Sequence, residues 1–551
     1  MRNCLFALAA LVAGCHWALN DKGTDPQAAQ LYFPSGIAMD PSGHYVYVAN
    51  GNADLRYGGG TVVMVDMLSY ECTIAEFRRH SPVDLMFDPT TKLPDACLRP
   101  DHQPEYWDDL AIKAKCIHDP LDRAIIDCDE SAFILQNSTV RIGNFAGAIR
   151  LLNDDADALH RTLFVAVRGD PSISEIQVHM PGSSSAAFAP QDINDPGVLQ
   201  CVAHPEALKE RPQYHPDPFD PSRFATSAPA PCEADFLIQD YRCQGEPTCV
   251  IGTDQNSKTQ LPTEPFGMAI DQAGNRLLVT HLSTGQVSVI DARPNTLPVN
   301  ALLSESQPFF PPDPTGRHGA FGIAQQHPDD AHSLWYMTSN VNPLIATFRV
   351  GDSSAVIPAS TNLVIPESTF GLNSSFAQGG DVRDIIFDSD GNRAFATDAN
   401  PPTVLVIDTR VDTTNGGIPH NVVTDIVDVC QTPSHTGVRR FTVAGAPGTP
   451  SRRKTKIVVV CFLSSQLMIV DPDRPGVDET IFSGLSGPND IAFNFTDDGA
   501  THPVTDLGVG RHAYVTNYSE STVAVVDLQP GSPTENRVLA RLGLRPDGLN
   551  P

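Results

Sequence analysis

The sequence predicts an all-β fold, a seven-bladed β-propeller with two long disulfide-containing insertions. Three observations carry this: a repeated phrase, the number of its copies, and the way the chain ends return to it. The phrase is an apolar strand, a tight Asp/Gly turn, a second apolar strand, a short polar stretch, and a third strand ending in Val-Asp or Ile-Asp. Its clearest copies run from Phe266 through His281 to Val287–Asp291, and from His512 through Asn517 to Thr522–Asp527. A unit of three or four short strands cannot bury both of its faces alone, so the copies must stack around an axis.

The chain opens with one positive charge, Arg2, followed by an apolar run too short to span a bilayer and small residues ahead of a cysteine. Leu11-Val12-Ala13-Gly14-Cys15 resembles a bacterial lipobox, in which the cysteine is lipidated and becomes the mature N-terminus. An ordinary secretory signal cleaved nearby is the other reading, and either takes the protein out of the cytosol. Residues 1–14 are therefore expected to be a signal peptide, 15–30 a short tether held to the membrane through a lipid on Cys15, and 31–551 the propeller.

Seven inner strands are expected to begin where a small residue lets the chain turn toward the axis: at Pro34, Phe145, Pro265, Ala320, Val382, Val438 and Pro488. Second strands follow from Tyr45, Leu163, Leu277, Leu334, Ala394, Ile457 and Ala513, as β-branched and aromatic runs between turn residues. Asp40-Pro-Ser-Gly43, Asp271-Gln-Ala-Gly274 and Asp388-Ser-Asp-Gly391 read as hairpin turns in which Gly supplies a positive φ. The third, with Asn392, faintly suggests a calcium loop, but the twelve-residue ligand pattern is missing and sister repeats use the same slot as a plain turn. At the far end, Arg537–Leu542 and Arg545-Pro-Asp-Gly-Leu549 re-enter the opening phrase. Ala29–Phe33 is expected to add an outer strand near that seam, so that N- and C-terminal strands share one blade and hide the free edges.

Blades 1 and 2 are spaced widely enough to carry irregular, disulfide-stabilised insertions at about 89–130 and 183–262. These hold Cys97, Cys116, Cys128, Cys201, Cys232, Cys243 and Cys249, an odd number, so one must pair outside them, with Cys72 nearest. Apart from Cys4 and Cys15 the chain has ten cysteines, enough for five disulfides in an exported protein. Cys430 and Cys461 are expected to pair within blade 6. Cys243 and Cys249 lack zinc spacing and no CxxCH occurs, so no metal site is predicted and no cofactor is specified.

A net charge of −28 lacks the basic surface that nucleic acid requires. Tyr514-Val-Thr-Asn517 followed by Ser521–Asp527, with Phe266–Asp271 upstream of Val287–Asp291, resembles the YVTN-repeat family of seven-bladed, lactonase-like propellers over most of 31–551 outside the insertions. The resemblance implies the fold. It implies no single activity, because that fold serves phosphogluconolactonase-type hydrolases, surface-layer and periplasmic binding proteins, and propeller subunits of redox enzymes. Thr516, Asn517, Val526 and Asp527 belong to the repeat and read as structural.

Propeller ligands meet the channel mouth where inner strands begin. That entry is small or apolar in four blades (Ser35-Gly36, Ala146-Gly147, Phe266-Gly267, Phe321-Gly322) and polar in three: Arg383-Asp384, Arg439-Arg440 and Asn489-Asp490. Either this arc is a structural Arg/Asp network, or it clamps an anionic ligand and carries acid/base work. His281, standing where the repeat has Asn, and His318, ahead of blade 4, are further candidates for a base or a metal ligand if they face the channel, although the histidines show no HxH or HxxxH metal spacing. The expected function is that of a ligand- or protein-binding module at the cell envelope, its partner an envelope protein or a small anionic ligand. The alternative is a lactonase-like hydrolase at the channel mouth. No GxSxG, HExxH, Walker or Rossmann signature is present.

Overall fold

The computed structural model describes, apart from short gaps, residues 26–80, 104–153, 160–179, 261–292, 302–359, 380–443, 452–494 and 511–543, with the short segments 93–94, 97–98, 198–201, 230–231, 237–239 and 363–364. Seven antiparallel sheets follow one another along the chain. Blade 1 is Pro34–Met39, Tyr45–Asn50, Gly60–Asp66 and Ile134–Ile142; blade 2 is Ala146–Asn153, His160–Val167 and Ser172–His179. Blade 3 is Pro265–Asp271, Arg276–His281, Val287–Asp291 and Leu302–Glu305; blade 4 is Ala320–Gln325, Trp335–Ser339, Leu344–Val350 and Val356–Pro358. Blade 5 is Val382–Phe387, Arg393–Ala399, Pro402–Asp408 and Val422–Asp428; blade 6 is Pro433–Val443, Arg452–Cys461, Gln466–Val470 and Val477–Ile481. Blade 7 is Pro488–Phe493, His512–Asn517, Thr522–Asp527 and Arg537–Leu542. Each inner strand neighbours the next, and blade 7 returns to blade 1, closing the ring.

The core lies between adjacent sheets. Tyr47, Val62 and Met64 of blade 1 interdigitate with Ile149, Leu163, Val165 and Ile176 of blade 2, and the same kind of layer recurs around the ring. Middle strands are therefore buried on both faces, which explains why they read as continuous apolar runs.

The repeat now has a physical meaning. Every inner strand enters with a register shift against its partner, between Pro34 and Gly36, Ala146 and Ile149, Pro265 and Met268, Ala320 and Ile323, Val382 and Asp384, Pro433 and His435, and Pro488 and Ile491. Such a bulge takes an amide out of the ladder, and in blades 3, 4, 5 and 7 a threonine near the end of the second strand receives it. Gly267, Gly322, Asp384 and Asp490 N–H groups donate to Thr280, Thr338, Thr397 and Thr516 Oγ1 at 2.9, 2.8, 3.2 and 2.9 Å. A Cβ at Gly267 or Gly322 would collide with the carbonyl oxygen of Phe321 or Arg383 in the next blade, so glycine sets the blade spacing there.

The next position, at the end of the second strand, ties the third strand and the interblade linker together. Asn50 and Asn517 donate through Nδ2 to Thr61 and Thr522 Oγ1, and to the carbonyls of Gln30 and Gly484. In blade 6 the same slot holds Cys461, which does the job covalently with Cys430 at a Cα–Cα distance of 5.9 Å. The expected disulfide is present, but Cys430 follows the outer strand of blade 5, so the bond spans the junction of blades 5 and 6 instead of lying within blade 6.

Three expectations change. The first insertion starts at Met67, not near residue 89, and is helical. Asp66, the last residue of a third strand, caps a helix over Met67–His80 by accepting from Ser69 N–H at 2.9 Å, and Arg78, Arg79 and His80 complement its C-terminal end. With the helix Pro104–Lys113 it buries Tyr70, Trp107 and Leu110, stapled by Cys72–Cys97 and Cys116–Cys128. In the second insertion, Val198–Cys201 and Leu237–Gln239 both pair with the third strand of blade 2 as its outer edge, and Ala230–Pro231 joins blade 1. The pairing of Cys232, Cys243 and Cys249, and the side chain of Cys201, lie outside the described residues.

The seam is closed differently too. Ala29–Phe33 is not a strand, and all four strands of blade 7 come from the C-terminal part. Its outer edge is covered by Ile126–Cys128 of the first insertion, parallel to Ala540–Leu542. Arg541, 2% exposed, bonds Asp127 at 2.7 and 2.8 Å and also meets Asp119, while Glu71 of the first helix accepts from His512 and Tyr514. The insertion thus does what a shared blade would have done. Residues 1–25 and 544–551, which include Cys15 and the Arg545–Leu549 segment, lie outside the described residues, as does the turn at 272–274.

Candidate functional site

Inner strands begin, and second strands end, at one end of the ring, and there all seven blades surround a cavity of about 350 Å³. This is within the size range of small-molecule sites. Five aromatic residues stand in its wall: Phe145, Phe266, Phe321, Phe462 and Tyr518. Set into it are Arg150, Arg168 and Arg383, with Asp384, His435 and Asn489.

Arg150 is on the inner strand of blade 2, where it shares with Ala148 the face opposite Ile149, and both line the cavity. Its Nε donates to the Met268 carbonyl at 2.9 Å and Nη1 to the Ile149 carbonyl at 2.8 Å, and it has no carboxylate partner among the described residues. The guanidinium is therefore held in place with no described carboxylate beside it. Arg168, just past the second strand of blade 2, lies over the Phe266 ring at 5.2 Å and reaches Glu264 only at 3.6 Å; its buried Nε has no partner among the described residues. Arg383 is occupied, donating through Nε and Nη2 to Asp381 at 3.0 and 2.7 Å.

His435 comes from the entry of blade 6. Its Nδ1 meets the Asn489 carbonyl at 2.6 Å, an acceptor only, so Nδ1 carries the proton. In the neutral ring Nε2 is then a lone-pair acceptor, with no hydrogen-bond partner among the described residues, and the residue lines the cavity. Such a nitrogen can take a proton from water or hold a ligand hydroxyl.

The predicted polar arc is only partly assembled. Arg383, Asp384 and Asn489 line the cavity; Asp490 does not. The two aspartates are blade latches: Asp384 Oδ2 accepts from Thr436 N–H and Oγ1–H, both at 2.8 Å, and Asp490 Oδ2 from Ile37 N–H at 3.1 Å. Asn489 Nδ2 donates to Ser35 O at 2.6 Å, completing the join of blade 7 to blade 1. Arg439 and Arg440 pair with Lys456 and Thr455, and Arg439 is six residues, about 20 Å, beyond the strand's entry at Pro433, so the mouth position of blade 6 belongs to Ser434 and His435.

His281 is a correction as well. It occupies the slot of Asn50 and Asn517, fully buried, with Nε2 at 2.9 Å from Ser288 Oγ and Nδ1 at 3.3 Å from Thr263 O. Burial pushes its pKa down to about 3, so it is a neutral strand tie and not a channel base. His318 sits in the linker ahead of blade 4, against the Phe310 carbonyl at 2.5 Å, and does not line the cavity.

Arg150, Arg168 and His435 escaped the sequence reading. Two signals pointed to them: an arginine inside an otherwise apolar inner strand, and Pro433, which matches Pro34, Pro265 and Pro488 as a strand entry.

No family model matches the sequence, and no curated protein matches it. Among solved structures the chain is similar to a periplasmic gluconolactonase of Pseudomonas aeruginosa, at 12% identity and a TM-score of 0.41 over 81% of this chain and 84% of that one. It is likewise similar to a putative 6-phosphogluconolactonase of Bacteroides fragilis, at 13% identity and a TM-score of 0.40 over 83% and 86%. A dihydro-heme d1 dehydrogenase, NirN, in complex with DHE matches at 10% identity and a TM-score of 0.34 over 70% of this chain, which spans about half (54%) of that protein.

Proposed function

We propose that this protein is an exported, lipid-anchored propeller that binds a small anionic ligand at the mouth of its central channel. One observation carries the reading: Arg150, fixed by two carbonyls in a cavity that five aromatic rings help to line, has no carboxylate partner among the described residues. A carboxylate or phosphate there gains charge-assisted hydrogen bonds without first breaking an ion pair, and Arg168 over Phe266 adds a second cation. The aromatic wall suits the apolar face of a sugar ring or acyl group. Export is supported by the three disulfides and by the lipobox-like Cys15.

Isothermal titration with gluconate, glucose 6-phosphate and inorganic phosphate tests the ligand class, and incorporation of labelled fatty acid with a Cys15→Ala control tests the anchor. Binding confined to neutral sugars would overturn the first part, and an unlabelled protein the second.

His435 favours a second reading, a lactonase-like hydrolase. Its Nε2 would take a proton from water as the oxygen bonds to a lactone carbonyl carbon; the ring C–O bond then breaks and that proton passes to the departing alkoxide, with Arg150 steadying the oxyanion. Lactone turnover that persists unchanged in His435→Gln contradicts this role. Asp384→Asn should lower stability more than turnover, because its oxygens are spent on Thr436.

A further inference from the structure

We propose that the two helices of the first insertion hold a divalent transition-metal ion of the zinc class between Glu76, His80 and Asp108. The site is separate from the channel mouth and does not depend on the anion reading.

The first observation is convergence. Glu76 and His80 lie one turn apart on the helix Met67–His80, and Asp108 comes from the helix Pro104–Lys113. Their donor atoms all lie within 4.8 Å of one another, with His80 Nε2 at 2.9 Å from Glu76 Oε1 and 3.6 Å from Asp108 Oδ2. Three donors each about 2.1 Å from a tetrahedral ion stand about 3.4 Å apart, so the spacing already suits one. The frame is held as well. Cys72–Cys97 ties the first helix to the chain leading into the second, and Trp107 Nε1, beside Asp108, donates to the Cys97 carbonyl at 3.1 Å.

The second observation is charge. Glu76 is only 1% exposed, a position where a carboxylate needs a partner for each oxygen. Arg79 bonds Oε2 at 2.6 Å and leaves Oε1 turned to His80. Asp108 has no lysine or arginine in an ion pair among the described residues, so two carboxylates converge on one imidazole. A divalent ion supplies the positive charge, takes the Nε2 lone pair and one oxygen of each carboxylate, and leaves Arg79 orienting Glu76 from behind. A protonated His80 bridging the two carboxylates is the competing arrangement, and it takes no metal.

The donor set selects the ion. One imidazole nitrogen with two carboxylate oxygens suits zinc, cobalt or nickel, whereas magnesium and calcium prefer all-oxygen shells. His80 and Asp108 are 61% and 40% exposed, which leaves the outer side of the site to water. Spacing rules miss it because the helical pair is Glu-xxx-His, and Asp108 joins only through helix packing. The first helix also grips the closing blade, Arg78 Nη2 donating to the Leu539 and Ala124 carbonyls at 2.9 and 3.0 Å. An ion that couples the second helix to the first therefore steadies the cover on the ring's seam.

The test uses the full-length protein, stripped with a chelator and dialysed, with zinc chloride as titrant in calorimetry and thermal unfolding. The parent should bind zinc, and its unfolding midpoint should rise with zinc concentration. His80→Gln and Asp108→Asn replace partly exposed side chains, so both should keep the parent's zinc-free midpoint while binding zinc at least roughly tenfold more weakly. His420→Gln, at another exposed pair with Nδ1 at 3.0 Å from Asp408 Oδ2, is the control and should bind as the parent does. Cobalt in place of zinc should give the parent a visible ligand-field absorption that His80→Gln lacks. Equal zinc affinity in the parent and His80→Gln, or no zinc-dependent shift in the parent, overturns the site and leaves His80 a plain ion-pair partner. Magnesium competing as well as zinc would overturn the imidazole's part in it.

Discussion

Replacing Glu175 by glutamine should raise stability at neutral pH and remove much of its pH dependence. Glu175 lies in the third strand of blade 2, 3% exposed, with Oε2 bonded to nothing among the described residues. Burial, and secondarily the nearby charge of Asp291, push its pKa from 4.5 up to about 8. The folded protein therefore keeps this proton up to about pH 8, whereas the unfolded chain gives it up above pH 4.5. Between those values unfolding releases a proton, so the stability present below pH 4.5 is progressively lost as pH rises through 8. At about 1.4 kcal/mol per unit, the loss by pH 7 is on the order of 3 kcal/mol, most of it accrued between pH 5 and pH 7. Glutamine mimics the neutral carboxyl in size and cannot ionise. Urea unfolding of both proteins at pH 5 and pH 7 measures the difference: the parent should lose about 2 kcal/mol more than Glu175→Gln over that interval. Parallel losses in the two proteins would refute a neutral, buried Glu175.

Three further outcomes follow from the same structure. Cys430→Ala with Cys461→Ala should cost roughly 3 kcal/mol, because the bond closes a loop of 31 residues, and peptide mapping without reductant should recover the two cysteines linked. Thr516→Val should cost about 1 to 3 kcal/mol in chemical denaturation by leaving the bulged Asp490 amide without an acceptor, and ligand affinity should be unchanged. His281→Asn should be nearly neutral in thermal unfolding, since Asn50 and Asn517 already perform that tie, whereas His281→Leu should be clearly destabilising by stranding Ser288.

The blades were legible because each inner strand begins with the same phrase and each strand is buried in the same way. Blade 6 shows the limit: its inner strand is eleven residues long, and the apolar Val438 disguised the entry that Pro433 marks. The helix after Asp66 was missed because a Val-Asp strand end reads equally as a turn or as an N-cap, and only the residues it packs on decide. For the site, charge alone misled. Asp384 and Asp490 look like acid/base groups in the sequence, yet their oxygens are consumed by the next blade, and Arg439 has the right type at the wrong end of a strand. What distinguishes Arg150 is the absence of a carboxylate partner among the described residues, a property of three dimensions. His281 taught the converse: a histidine in a repeated asparagine slot inherits the asparagine's task.

The anion site is tested most directly by titrating the tightest-binding member of the anionic panel into the parent protein and into Arg150→Gln, with Thr516→Val as a folded control. Losing a charge-assisted contact worth about 1.5 to 3 kcal/mol, the Arg150→Gln protein should bind roughly ten- to a hundredfold more weakly, while the control binds as the parent does. Equal affinity in the parent and Arg150→Gln would contradict an anion site built on that arginine.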